Sequence, residues 1–386
     1  MSEKLCGISQ SFSIFKKNIF EMRILVFAVL LVILSSCNDK EAKRSNSFTS
    51  VDIETIITED SLLDVRAIKI ANGKVWFAGS NGNFGFESID EMNKENSNVF
   101  GSSDFGERLS YWSRLFKSDT SALAIRSIDK IEDALFVLSI ASPAMLYKFE
   151  DNEIKLVYQE NHPKAFYDSM DFWNDQEGIA IGDPTDDCMS VIITRDGGET
   201  WTKLSCKDLP KTINGEAAFA ASDTNIAIVD NHTWVATGGK TSRILYSPDK
   251  GATWEVYDTP IIQGKETTGM YSLDFYDAQH GFAIGGDYTQ PNDTLNNKMR
   301  TEDGGKTWSV VANGKGPGYR SCVQYVPNSN AKELVAVGFK GIDYTNDAGD
   351  SWKHLSDEGF YTIRFLNDSV AYAAGKGRIS KLTFKN

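Results

Sequence analysis

The sequence predicts an all-β fold, a seven-bladed β-propeller, and three observations carry that prediction. The frame Ser/Thr-x-Asp-x-Gly-x-Thr/Ser-Trp occurs four times, at 194–201, 247–254, 301–308 and 345–352. Its tryptophans, Trp201, Trp254, Trp308 and Trp352, are 53, 54 and 44 residues apart, the length of a four-stranded blade with its loops. Between the frames, apolar residues alternate with polar ones under regular turn punctuation, and no sustained helical period intervenes.

Each frame has the chemistry of a hairpin tip. Asp196, Asp249, Asp303 and Asp347 can accept hydrogen bonds from backbone N–H groups just ahead, and the glycine that follows supplies positive φ. A β-rich run such as Ser190–Ile193 leads in, and the tryptophan opens the returning strand. The frame resembles the Asp-box, or bacterial neuraminidase repeat, of sialidases and other propellers. These residues are read as structural.

The clearest blade takes Tyr167–Phe172 as inner strand, then Gly178–Gly182, then Met189–Thr194, the turn, and Thr202–Leu204. It recurs as Tyr271–Phe275 with Gly281–Gly286. Between them, Glu216–Phe219 is read as an inner strand followed by Thr233–Gly239. Upstream, Val65–Ile68 with Val75–Gly79 and Ile125–Ile128 with Leu135–Leu138 begin blades without the frame. The last unit, Tyr361–Phe365, Ala371–Gly375 and Ile379–Phe384, has three strands, and Val51–Ile57 is expected to supply the fourth and remove the open edge. Residues 88–108 read as a polar insertion.

The N-terminus reads as a targeting segment. Lys16, Lys17 and Arg23 precede an apolar run from Ile24 to Leu34, too short for a comfortable membrane span. It ends in Leu34-Ser35-Ser36-Cys37, which resembles a bacterial lipoprotein box. That implies a signal peptide at 1–36, with Met22 an alternative start, lipidation at Cys37, a polar tether at 37–50 and a propeller at 51–386. A plain signal peptide with an incidental cysteine is the competing reading. The implied location is the cell envelope, anchored by lipid alone to the membrane, with periplasmic and surface faces both open.

Export makes disulfides available. If Thr194 pairs with Trp201, Cys188 falls opposite a neighbour of Cys206. The spacing predicts a cross-strand disulfide between Cys188 and Cys206, with two buried thiols one register step apart as the competing reading. The net charge of −13 argues against non-specific nucleic-acid binding. The four histidines are scattered and form no His-rich metal motif, and no cofactor motif occurs. Calcium has candidate loops at Asp183–Asp187 and Asp287–Asp293, which also read as solvated tips.

Gly182-Asp183-Pro184, Gly215–Ser222, Gly285-Gly286-Asp287-Tyr288 and Gly318–Ser321 resemble an exported bacterial propeller family similar to the photosystem II stability and assembly factor. The resemblance spans roughly residues 60–386 and implies a binding or assembly role toward an envelope protein partner or a small anionic ligand, in a monomer. Members are often labelled oxidoreductase or glycosyl hydrolase, and no motif here supports either label.

Propellers bind at a mouth of the central channel. Aligned on Asp168, the inner strands bring Arg66, Arg126, Asp168, Glu216, Tyr271, Arg320 and Tyr361 to one axial layer, with Arg320 open to a one-residue offset. Unpaired guanidiniums there would suit a carboxylate. In the other reading, Asp168 and Glu216 neutralise the three arginines. A sialidase-like glycoside hydrolase is the catalytic alternative, with Tyr271 as nucleophile beside Glu216. The Phe/Tyr-Arg-Ile-Pro segment that usually precedes the first box in that class is missing.

Overall fold

The structure, a computed structural model, describes residues 47–58, 64–89, 117–118, 121–151 and 153–386. The expected signal segment, Cys37 and most of the insertion at 88–108 lie outside these residues. Seven antiparallel sheets follow one another as blades. Their innermost strands are Val65–Ala71, Ile125–Lys130, Tyr167–Phe172, Ile226–Val229, Thr268–Phe275, Cys322–Tyr325 and Thr362–Phe365. Each chain segment then steps outward strand by strand. Second strands such as Gly178–Gly182 and Leu334–Gly338 are buried throughout, because sheets cover both their faces. Outer strands such as Glu255–Asp258 are largely exposed. In the seventh blade, Ser50–Thr58 pairs with Arg378–Lys385, so the first strand of the propeller closes the last blade.

The repeated turns do more than reverse the chain. In the first, Thr194 Oγ1 donates to Asp196 Oδ1 at 2.9 Å and accepts the Gly198 N–H at 2.9 Å. Asp196 Oδ2 accepts the Thr200 hydroxyl at 2.6 Å. The corresponding contacts recur around Asp249, Asp303 and Asp347. Partial burial works against ionisation of Asp196, but the Thr200 hydroxyl and amide hold its carboxyl below the usual range.

The frame glycine sits at φ 77° in Gly198, and a Cβ there would lie 2.3 Å from the Phe136 ring. Gly305 similarly abuts Trp234, and Gly349 abuts Phe282, each in the preceding blade. The turn therefore locks blade to blade, and glycine is required twice over, by φ and by contact. Trp201 completes the seam, edge-on to Phe136 of the preceding blade with ring centroids 6.3 Å apart and to Phe172 of its own blade at 5.7 Å. Burying a ring of this kind contributes roughly 2–3 kcal/mol.

Two register questions resolve within the third and fourth blades. Ile193 pairs with Thr202 and Ile192 with Lys203. Cys188 and Cys206 form a disulfide with Cα atoms 5.4 Å apart, while Cys322 is a buried free thiol. The fourth blade departs from expectation. Its inner strand is Ile226–Val229, whereas Glu216–Ala217 pairs with Gly238–Gly239 at the margin of the fifth blade's sheet. Glu216–Phe219 is therefore not the inner strand its apolar composition suggests, and residues 218–225 turn into the channel instead.

Candidate functional site

Inner strands carry a register shift at their entry ends. It falls between Val65 and Ala67, Ile125 and Ser127, Tyr167 and Ser169, and Met270 and Ser272. The unpaired residues are Arg66, Arg126, Asp168 and Tyr271, four of the seven expected in one layer. Tyr361 takes the same place in the seventh blade, its N–H donating to Ala374 O at 2.7 Å. In the sixth blade Ser321 holds it, donating to Val337 O at 3.0 Å, so Arg320 is one residue out of phase. Glu216 is not in the layer at all.

Arg66 and Arg126 form a cationic arc. The Arg66 guanidinium stands 4.0 Å from the Tyr361 ring centroid, a cation–π contact, and its Nε is 3.4 Å from Asp64. Arg126 is half-buried, and its Nε is buried without a hydrogen-bond partner. Burial first, then the charge of Arg66, pushes Arg126 down to about 10. Next to this arc lies an aromatic wall. Phe219 stacks on Tyr271 at 4.0 Å, and Tyr319 meets Tyr271 edge-on at 4.8 Å. Tyr288 and Phe339 flank Tyr319 and are exposed, at 49% and 42%.

The remaining candidates are engaged elsewhere. Glu216 receives Arg243 Nε at 3.0 Å on Oε1 and Arg243 Nη2 at 2.6 Å on Oε2, with Thr237 Oγ1 at 2.7 Å. Arg320 donates to Asp343 Oδ2 through Nε at 2.6 Å and through Nη2 at 2.5 Å. The expectation that Asp168 and Glu216 would neutralise the arginines fails, because other acids and bases stand closer. Asp168 is fully buried, and neither carboxyl oxygen closes a hydrogen bond of good geometry. Burial, then the neighbouring Asp183, holds it well above the carboxylate range. Asp183 accepts the Ala218 N–H at 2.8 Å and is pushed by burial up to about 6.

Tyr271 lacks the setting of a nucleophile. Its hydroxyl donates to Thr267 O at 2.9 Å, burial pushes its pKa up, and Glu216 is committed to Arg243. The acidic loops show no cation cage. Asp287 Oδ1 accepts the Thr289 N–H and hydroxyl, and among the described residues no cluster of three or more metal-ligating side chains occurs.

Residues 222–225 plug the channel. Ser222 Oγ donates to Ser321 O at 2.6 Å, and Thr362 Oγ1 donates to Ser222 O at 2.9 Å. Ile128 N–H reaches Asp223 Oδ2 at 3.2 Å, and Leu273 N–H reaches Thr224 O at 2.9 Å. The segment thus bonds to the second, fifth, sixth and seventh blades. The signal was present in sequence: Ser222-Asp223-Thr224-Asn225 is turn chemistry, and Asp223 is left-handed at φ 57°.

Beyond the plug, toward the far mouth, is a cavity of about 270 Å³. Three residues after the register shift, the inner strands present Lys69, Asp129, Asp171, Asp274, Gln324 and Arg364, a second charged ring that alignment on Asp168 overlooked. Several of these side chains cap channel-edge amides of the next blade. Asp274 accepts Tyr325 N–H at 2.7 Å, and Gln324 accepts Phe365 N–H at 2.9 Å.

No family model matches the chain, and no curated protein matches it. Solved structures do. YCF48 bound to D1 peptide is similar at TM-score 0.56 and 10% identity, covering 88% of this chain and 99% of that one. YCF48 from Cyanidioschyzon merolae gives 0.57 and 11%, covering 86% and 99%. The WD40 repeats of RRP9 give 0.56 and 10%, covering 88% and 100%. At these identities the likeness establishes the propeller fold.

Proposed function

We propose that this chain is a non-catalytic binding propeller of the bacterial cell envelope, lipid-anchored at Cys37, that engages a protein partner through an anionic segment at the entry mouth. The observation that carries the reading is Arg126, whose Nε is buried without a partner beside Arg66. Two neighbouring guanidiniums of this kind offer bidentate donors to a carboxylate. The aromatic wall of Tyr271, Tyr288, Tyr319 and Phe339 offers surface to the residues preceding it. The quoted motifs resemble the photosystem II assembly factor family, and one similar structure holds a peptide, which supports a protein partner over a sugar. Envelope location and the anchor rest on the basic, apolar and Leu34-Ser35-Ser36-Cys37 pattern.

The test is fluorescence anisotropy with labelled peptides ending in an aromatic residue, each as free carboxylate and as C-terminal amide. We expect binding to need the carboxylate and to weaken roughly 10–100-fold in Arg66→Ala/Arg126→Ala. Equal binding of the amide, or by the double variant, would sink the reading. For the anchor, metabolic lipid labelling should be lost in Cys37→Ala.

A further inference from the structure

The far cavity has a different character from the entry mouth and a different missing partner. Lys69, Asp171, Asp223, Asp274, Gln324 and Arg364 contribute its polar lining, and Asp129 lies behind Lys69. The fourth blade adds no charge at this level, presenting Ala227. Lys69 is already taken, at 2.7 Å from Asp129 and 3.3 Å from Asp171. Arg364 donates to Thr362 Oγ1, Ile363 O and Asp223 O, each at 2.9 Å. The groups left over are two carboxylate oxygens and one hydroxyl. Asp223 is 9% exposed and lines the cavity, its Oδ2 accepts Ile128 N–H, and its Oδ1 is faced by the Ser127 hydroxyl alone, with no charged partner. Ser127 Oγ faces Asp223 without closing a hydrogen bond of good geometry. Asp129 Oδ2 is likewise buried and closes no hydrogen bond of good geometry, with the Asp171 carboxyl its neighbour.

Carboxylates outnumber cations in this ring, and the unmatched atoms call for a donor carrying positive charge. Burial pushes Asp223 up to about 8, partly offset by the charge of Arg364, and pushes Asp274 up to about 7. Both shifts mark a ring short of compensating charge. Ile68, Ile70, Met170, Ile228 and Leu273 supply apolar walls between the acids. An inorganic cation would gain nothing from such walls, whereas methylene groups would.

We infer that the far cavity is a binding site for a small aliphatic amine, its ammonium held by Asp223 and Asp171 and its carbon chain by the isoleucine walls. The inference is independent of the entry-mouth reading, since the plug at 222–225 separates the two. Isothermal titration of the whole propeller at pH 8 with 1,4-diaminobutane tests it, with 1,4-butanediol and sodium acetate as controls. Saturable one-to-one binding is expected for the diamine alone. Asp223→Asn should weaken it at least about tenfold, while Arg66→Ala/Arg126→Ala leaves it unchanged. Should Asp223→Asn disturb the plug, as circular dichroism would reveal, Asp171→Asn must weaken binding instead. No saturable binding by folded protein, equal binding of the diol, or undiminished binding by folded acid-to-amide variants would overturn the site and leave the cavity to water.

Discussion

The two flanks of the entry mouth hold the same residue types in opposite states. On one flank, Arg243 and Arg320 are sunk into bidentate contacts with Glu216 and Asp343, and all four side chains are at most 9% exposed. On the other, Arg66 and Arg126 sit against an aromatic ring and each other, with one partly exposed acid, Asp64, near Arg66. Charge alone does not distinguish structure from function here; the partner does. A guanidinium whose donors all meet protein acceptors is part of the scaffold, and one with an orphaned Nε is available to something else.

The sharpest way to break this contrast is to remove one arginine from each flank. Arg243→Ala leaves Glu216 buried with hydrogen bonds but no counter-charge, and should destabilise the propeller by about 3–5 kcal/mol in chemical denaturation. Arg320→Ala should behave similarly, softened by His354, whose Nδ1 lies 3.0 Å from Asp343. Arg126→Ala should move stability by less than about 1 kcal/mol in either direction, because it removes a desolvated cation with no ion pair to lose. If Arg126→Ala instead unfolds the protein as Arg243→Ala does, the cationic arc is scaffold and the proposed mouth loses its basis.

How much of this was readable follows from the range of each signal. The repeated turns are local, so Asp196 and its three counterparts mark blade length and phase, while the frameless strand pairs and the three-stranded last unit supply the blade number and the closing strand. The phase places Arg66, Arg126, Asp168 and Tyr271 together, since a register shift recurs at one position of four inner strands, and Tyr361 takes the equivalent place in the seventh blade. Pairing is non-local. Asp343 lies 23 residues from Arg320 and Arg243 lies 27 from Glu216, and nothing in either stretch announces the contact. The fourth blade's inner strand, expected at Glu216–Phe219, lies instead at Ile226–Val229 for a related reason. Ala217–Phe219 has strand-like composition, but the apolar ring of Phe219 is turned to Tyr271 and not to a blade core. The second charged ring is equally legible, three residues downstream in the inner strands.

Asp168 gives the finest test, because it belongs to the open flank and carries no counter-charge. Burial and Asp183 raise its pKa well above normal, so the folded protein keeps a proton that the unfolded chain sheds near pH 4. Between those values the native state binds more protons than the unfolded state, and the stability contribution of Asp168 falls as pH rises. Asp168→Asn presents a neutral amide at every pH and can donate to Asp183, so it should match the wild type in melting temperature near pH 5. Its advantage should then grow toward pH 8, reaching on the order of 3 °C. Glu216→Gln must show no such gain, since Arg243 wants a charge there and Gln turns a donor toward it. A flat difference between Asp168→Asn and wild type across pH 5–8 would mean that Asp168 is ionised in the fold.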